Sequence, residues 1–242
     1  MRYYRDEAIV LGGHKLGEAD RIVVLLTREH GLVRAVAKGV RRTRSKFGSR
    51  LETFMFVDLQ AHIGKSLDVV TQVELKEPFA RGIMADYDVY SAATVMAETA
   101  QKLTEDEPRT RGQFLLLLSA IRSLCKHEHP PRQSLDAYLL RAMSLAGWAP
   151  SLVDCAQCGM PGPHRGFSAA LGGTVCMDCR PHGTALTSTS AVNHIAALLT
   201  GDWVGAAATP VHTTMEASRL VTSYVHWHLE RRVRSLNVLE RT

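Results

Sequence analysis

The sequence lacks any long apolar run and any low-complexity tract. No stretch approaches the roughly 18–20 apolar residues that a membrane-spanning helix needs. The N-terminal segment "MRYYRDEAIV" carries charge where a secretory signal would have its apolar core. We therefore expect a protein of the cytoplasm, without a membrane partner, in which the five cysteines stay reduced rather than forming a disulfide framework.

The chain also lacks the motifs of common enzyme sites. It has no P-loop and no dinucleotide fingerprint, because the glycines of "GGHKLGE" have neither the spacing nor the strand-to-helix context of a phosphate cradle. No nucleophile elbow occurs. These absences favour a binding protein, and we predict that the chain is not an enzyme. A hydrolase is the weakest alternative.

Acidic residues are missing from one stretch, which is basic instead. The whole chain has a formal charge of +5, and the segment around "KGVRRTRSKFGSR" has no Asp or Glu over seventeen positions. A cluster of this kind is either a solvated surface or a binding site for a polyanion. The seven basic side chains of this segment are Arg34, Lys38, Arg41, Arg42, Arg44, Lys46 and Arg50.

Residues 1–79 have the pattern of five short strands. Residues from Leu51 to Ile63 alternate in polarity, and in the fifth strand Leu67, Val69, Val73 and Leu75 are expected to share the core face. The turn signal "EHG" predicts a hairpin between the second and third strands. Because the longest connector joins the third and fourth strands, we predict an OB barrel, with another five-stranded barrel or a sandwich as the alternative.

The period becomes helical after about residue 80. Apolar stripes run through "RTRGQFLLLLSAIRSLCKH" and "SLDAYLLRAMSLAGW", and Gly147 is placed to end the second helix. The predicted fold is α+β and multidomain: an N-terminal OB barrel followed by an all-helical domain that carries an inserted zinc-finger element. Its predicted parts are the barrel at 1–79, helical segments at 80–149 and 186–242, and the zinc-binding element at 150–185.

Four cysteines form two Cys-x-x-Cys pairs, Cys155 with Cys158 and Cys176 with Cys179. Two thiolates on one tight turn can reach a single ion, and two such turns complete a tetrahedron, so we predict one structural Zn²⁺. Four thiolates leave no open position for catalysis. A redox dithiol, an iron–sulfur cluster, or replacement of one thiolate by His164 or His182 are the alternatives. Cys125 lies on an apolar stripe and is expected in the core.

The basic segment falls on the connector between the third and fourth strands of the predicted barrel. OB barrels bind single strands with cationic grooves and stacking aromatic rings, so all seven basic residues are candidate DNA-binding residues. Phe47 is a candidate stacking partner, and Gly39 and Gly48 are expected to keep the connector mobile. The alternative is a zinc-ribbon regulatory or adaptor protein whose basic surface binds an acidic protein.

The segment "HKLGEADRIVVLLTREHGLVRAVAKGVRRTRSKFGSRLETF" resembles the N-terminal signature of RecO, a family of bacterial recombination mediators. The similarity continues through "DAYLLRAMSLAGWAP" into the cysteine pairs, and it is greatest to actinobacterial members. Not every RecO has the four cysteines, which agrees with a structural role for the metal.

This resemblance implies an OB domain, a helical domain and a zinc-binding element. It further implies DNA repair and homologous recombination in the RecF pathway. The expected activities are binding of single- and double-stranded DNA, annealing of complementary strands and, with RecR, loading of RecA onto strands coated by SSB. The implied partners are therefore DNA, RecR, the acidic C-terminal tail of SSB and, indirectly, RecA, at the nucleoid.

Overall fold

The structure, a computed structural model, describes residues 2–105, 107, 110–184 and 186–229. The chain divides into two compact units, Met1–Glu128 and His129–Thr242. The domain limits given above are a different division and stay a prediction. No helix within the described ranges is both long enough and apolar enough to cross a membrane.

The first unit begins with a five-stranded barrel. Its strands are β1 (Tyr3–Leu16), β2 (Asp20–Thr27), β3 (Leu32–Ala37), β4 (Met55–His62) and β5 (Asp68–Pro78). They pair in the order β1-β2-β3-β5-β4, and β4 also pairs with β1. The predicted β2–β3 hairpin is confirmed. Only β3 and β5 are parallel, and they are joined by just two residue pairs. A small barrel with one such weak seam is the partly open OB architecture.

Strands β1 and β2 are apolar on both faces because helices cover the outside of the barrel. Val10 and Leu25 belong to the interior core, whereas Ile9 and Leu26 are fully buried on the opposite face. The helices on that face are α1 (Phe79–Met84), α2 (Tyr87–Thr104) and α3 (Arg111–Cys125). A strand that is covered on both faces needs no polar alternation.

The predicted alternation is confirmed in β4 and only partly correct in β5. The core side chains of β4 are Met55, Val57, Leu59 and Ala61, as expected. In β5 Val73 packs against the core as predicted, but Val70 is the fully buried residue and Leu75 is exposed. Ala61 pairs with Val70 but Gln60 pairs with Gln72, so Thr71 is an extra residue in the strand. A bulge of this kind changes which side chains face the core, because side chains alternate at every residue.

The predicted apolar stripes are confirmed in α3 and in α4 (Pro131–Leu145), whereas the segment from Gly82 to Leu103, ahead of α3, is divided between two helices. Helix α1 ends at Met84 and α2 begins at Tyr87. Between them, the Asp86 carboxylate accepts hydrogen bonds from the backbone N–H groups of Asp88 and Val89. Such an N-cap starts a new helix, so one apolar pattern becomes two helices.

The described part of the second unit contains four helices and a small hairpin. Its elements are α4 (Pro131–Leu145), β6 (Gly166–Ser168), β7 (Gly173–Val175), α5 (Thr189–Thr200), α6 (Trp203–Ala207) and α7 (Val211–His228). Gly147 follows α4 with a φ of 89°, a conformation that ends helices and favours glycine. Strands β6 and β7 pair in antiparallel fashion, so the hairpin expected between the two cysteine pairs is confirmed.

A buried carboxylate joins α4 to α7. Asp136 is only 2% exposed, and its Oδ1 lies 3.4 Å from Nε of Arg132. The Ser218 hydroxyl donates a hydrogen bond to Asp136 Oδ2. Burial raises the pKa of Asp136 to about 6, although Arg132 and Ser218 act in the opposite direction. The second unit therefore contains an acid that takes up a proton more readily when folded than when unfolded.

Asp136→Asn should remove the part of the unfolding free energy that changes with pH because this carboxyl titrates. As the pH falls from 7 to 4, the folded wild type binds a proton before the unfolded chain does, so this group's contribution to stability increases. We expect the unfolding free energy of the wild type, relative to Asp136→Asn, to rise by about 2 kcal/mol over that range. All three tryptophans lie at or beyond Trp148, so urea unfolding followed by tryptophan fluorescence reports on the second unit. A difference that is constant with pH would contradict this origin.

Candidate metal centre and nucleic-acid interface

The basic connector between β3 and β4 is anchored by its own apolar side chains. Val40, Phe47 and Leu51 are buried in the barrel core, with Phe47 only 2% exposed. The proposed stacking of a base on Phe47 is therefore wrong, because its ring already packs inside the protein. The connector follows a path of turns and a short 3-10 helix at Gly48–Leu51, while its expected mobility stays a prediction.

Three side-chain hydrogen bonds join the start of the connector to the β1–β2 turn and to the first residue of β2. The Asp20 carboxylate accepts a hydrogen bond from the Gly39 N–H at 2.7 Å. Arg41 Nη1 donates to the carbonyl oxygens of Gly17 and Glu18 at 3.1 and 2.9 Å. The connector and this turn thus form one continuous surface.

The other basic side chains differ in their partners. Lys46 Nζ donates to the Thr71 carbonyl at 3.1 Å and lies over the Phe47 ring, and Arg50 donates to the Lys46 carbonyl. Lys38, Arg42 and Arg44 are exposed. None of these, nor Arg41, forms an ion pair with a carboxylate of the described residues, so the six connector cations keep their charge available.

Arg34 has a different environment from the connector. It lies on β3 opposite Val24, and its guanidinium forms an ion pair with Glu105 at 2.8 Å. A carboxylate this close offsets most of the attraction that the side chain would offer to a phosphate. Its assignment as a DNA-binding residue stays a prediction.

The four paired cysteines lie together in the second unit. Their Sγ atoms are all within 4.8 Å of one another, and those of Cys158 and Cys176 are 3.9 Å apart. Bonds of about 2.3 Å from sulfur to a tetrahedral ion place the sulfurs about 3.8 Å apart, so the cluster has the dimensions to hold one metal ion. Within the described residues this cluster contains cysteines alone; the His164 ring is engaged instead with the Met160 carbonyl.

Backbone turns bring each pair together. The Cys155 N–H donates to the Met160 carbonyl, and the Gly159 N–H donates to the Cys155 carbonyl. Gly159 has a φ of 73°, which permits the tight turn. The Ala156 N–H donates to the Thr174 carbonyl of β7, which leads directly into Cys176. The hairpin thereby places the second pair against the first.

The surroundings of the four clustered thiols favour the binding of a metal cation. Backbone N–H groups of Cys158 and Cys176 point at Cys155 and lower the pKa of its thiol to about 6. The neighbouring sulfurs, first that of Cys176, raise the pKa of Cys179 to about 12. Because four thiolates repel one another, the last proton is lost easily only when a positive ion shares the site.

An aromatic cluster that sequence reasoning missed connects the metal-binding element to α7. The rings of Phe167 and Tyr224 are 6.2 Å apart, and the Tyr224 hydroxyl donates to the Trp148 carbonyl. His228 packs against both Trp148 and Tyr224. These contacts span up to 80 residues of sequence, so no local pattern indicates them.

Cys125, expected in the core, is half-buried, with its Sγ 3.9 Å from the Phe79 carbonyl.

Comparison with known proteins matches both parts of the chain to one family. Residues 1–79 match the model for the recombination protein O N-terminal region, and residues 84–237 match the model for the recombination protein O C-terminal region. The chain is also 54% identical, over 243 residues that cover all of both chains, to the DNA repair protein RecO of Thermobifida fusca strain YX. The resemblance seen in the sequence is therefore confirmed, and the chain belongs to the recombination protein O family.

Proposed function

We propose that this chain is a DNA repair and recombination protein that acts by binding DNA rather than by covalent chemistry. The observation on which this rests is the connector, whose six cations have no carboxylate partner among the described residues, on a barrel of the OB type. Cations that are not already paired release counterions when phosphates replace them, and this drives DNA binding. Family membership and the name of the similar Thermobifida protein support the same function.

The finer activities follow from this surface. A cationic face that contacts two strands lowers their mutual repulsion, so complementary bases can pair; this is the proposed annealing activity on single- and double-stranded DNA. The family resemblance adds RecR as the partner with which RecA is loaded onto strands coated by SSB, and the acidic SSB tail as the recruiting contact. The same proposal places the protein in the cytoplasm with the nucleoid, with the domain limits given above.

The structure suggests different roles for the individual cations. Arg41 and Lys46 donate to carbonyl groups of the β1–β2 turn and of β5, so we assign them mainly to holding the connector in place. Lys38, Arg42 and Arg44 are assigned to phosphate contacts. The exposed Lys15, close to the same turn at the end of β1, extends the proposed surface.

Arg42→Ala combined with Arg44→Ala should weaken binding of a mixed-sequence single strand. Loss of two phosphate contacts should reduce the slope of log K against log salt by about 1.4. Fluorescence anisotropy at several salt concentrations measures both affinity and slope. Annealing of complementary oligonucleotides by the same variant should slow in parallel.

A matched control removes two exposed cations elsewhere, Lys102→Ala combined with Arg219→Ala, and should leave the slope unchanged. Equal effects of the two double variants would show that net charge, and not the connector, determines binding. Absence of binding by the wild type even at low salt would favour an adaptor protein with an acidic protein partner.

We also propose that the metal held by the four cysteines is one structural Zn²⁺. All four ligand positions come from the chain, and the sulfur spacing fits tetrahedral thiolate coordination. Zinc in such a site supplies folding energy to a segment with little apolar core. The small core of this segment, which centres on Cys155, Val175 and Cys176, contains two of the ligands themselves.

Removal of the metal should destabilise the second unit. We expect Cys176→Ser, or a zinc-selective chelator, to lower the unfolding free energy reported by tryptophan fluorescence by about 4 kcal/mol or more. Cys125→Ser, outside the cluster, should retain one zinc per chain by mass spectrometry of the metal. Iron and sulfide in the purified protein, or unchanged stability after complete removal of zinc, would contradict the assignment.

A further inference from the structure

The basic connector offers a nucleic acid no exposed aromatic ring. Its two aromatic residues, Phe47 and Phe54, are only 2% and 3% exposed. The β1–β2 turn at residues 17–19, which lies against the connector, contains no aromatic residue. Proteins that bind single strands stack successive bases on such rings. A strand that lies on the connector and the turn therefore finds no ring there on which its bases could stack.

The connector also lacks the side chains that recognise most base edges. From Lys38 to Leu51 it contains no Asn, Gln, Asp or Glu. Amide side chains of this kind recognise adenine, and carboxylates accept from cytosine. The connector has cations instead, and the exposed Lys38, Arg42 and Arg44 carry N–H donors that suit phosphate oxygens. Its chemistry is that of a surface for phosphates.

The barrel face that OB domains use for oligonucleotides is covered by this protein's own helices. That face lies on strands 2 and 3 of the fold. On the outer side of β2, Val24 and Leu26 are 4% and 0% exposed, because α3 packs against the strand. On β3, the guanidinium of Arg34 is paired with Glu105. Bases therefore have no access to the outer side of β2 and meet an already paired cation on β3.

Other exposed rings of the first unit lie apart from the connector cations. His14 precedes Lys15 on β1, but successive side chains of a strand point to opposite faces of the sheet. Tyr87 and Tyr90 are 59% and 43% exposed at the start of α2, and the Tyr90 ring meets the buried Phe54 ring edge-on. Stacking by the first unit would have to use rings such as these, which the connector does not contain.

We propose that the connector holds DNA through its phosphates alone and leaves the bases free to pair. This inference rests on the proposed function and specifies the ligand of that same surface: a phosphodiester backbone, with no contribution from the bases. Cations bind phosphates by releasing counterions, and this contribution does not depend on base identity. A base stacked on a protein ring must leave that ring before it can pair, whereas a base that points away from the connector can pair at once. A surface without rings therefore suits the annealing of two strands.

A strand without bases provides a direct test in the full-length protein. The two probes are a mixed-sequence single strand and an abasic strand of equal length, in which every nucleoside is replaced by tetrahydrofuran. Fluorescence anisotropy should give affinities within about twofold of each other and equal salt slopes, because the two strands carry the same number of phosphates. Arg42→Ala combined with Arg44→Ala should weaken the binding of both strands to the same extent.

A ring variant tests the neighbouring aromatic residues. His14→Leu, Tyr87→Leu and Tyr90→Leu combined remove three rings while keeping apolar bulk at each position. This variant should bind the intact strand as the wild type does, and its binding of the abasic strand shows whether the connector is still folded.

The reactivity of the bases provides a second measurement on the wild type. Thymines of the bound intact strand should react with permanganate as fast as those of the free strand, since nothing on the connector shields them.

Three results would overturn the inference. The first is an intact strand that binds about fivefold or more tightly than the abasic strand, which is the gain expected from a single stacked base. The second is a ring variant that loses affinity for the intact strand but not for the abasic strand. The third is protection of thymines from permanganate in the complex. Failure of both strands to bind the wild type at low salt is a separate outcome, which would refute the proposed DNA-binding function and this inference with it.

Discussion

Burial of Val40, Phe47 and Leu51 in the barrel core is the constraint on which the proposed DNA-binding surface depends. Like charges concentrated on a free loop would move apart and leave no defined surface. Here three apolar side chains fix the loop from within, and the cations between them must point outward. The same residues fill the barrel beside the weak β3–β5 seam, so the connector both stabilises the fold and displays the charge.

In the second unit, the proposed metal site has the stabilising role that apolar burial has in the connector. The segment between α4 and α5 has a core of only a few residues, which cannot offset the entropy of ordering so long a loop. Four thiolates around one ion would replace that missing core. The contacts of Phe167 and His228 with neighbours on and near α7 then hold the element in place.

The sequence predicts those features that depend on local spacing. The Cys-x-x-Cys pairs, the alternation of β4 and the stripes of α3 and α4 are all patterns within about twenty residues, and the structure confirms them. The bulge at Thr71 is set by pairing with β4, and the break at Asp86 is a capping event that interrupts an apolar pattern. Neither the bulge nor the break alters the local sequence pattern enough to be predicted from the sequence alone.

Phe47 shows why the candidate site was only partly predictable. An aromatic ring among arginines is typical of a stacking platform and equally of a core anchor, and only the three-dimensional path of the connector distinguishes the two. The ion pair of Arg34 with Glu105 is likewise invisible in the sequence, because 71 residues separate the partners.

The distribution of ion pairs over the chain supports the proposed role of the connector. The chain has 24 acidic residues against 29 Lys and Arg, so carboxylates are available to neutralise cations. Arg5, Arg21, Arg28 and Arg122 each have such a partner. The fold does not require the connector cations to be unpaired, because its anchors are apolar. Their mutual repulsion, which no carboxylate of the described residues offsets, is what the phosphates of the proposed DNA ligand would relieve.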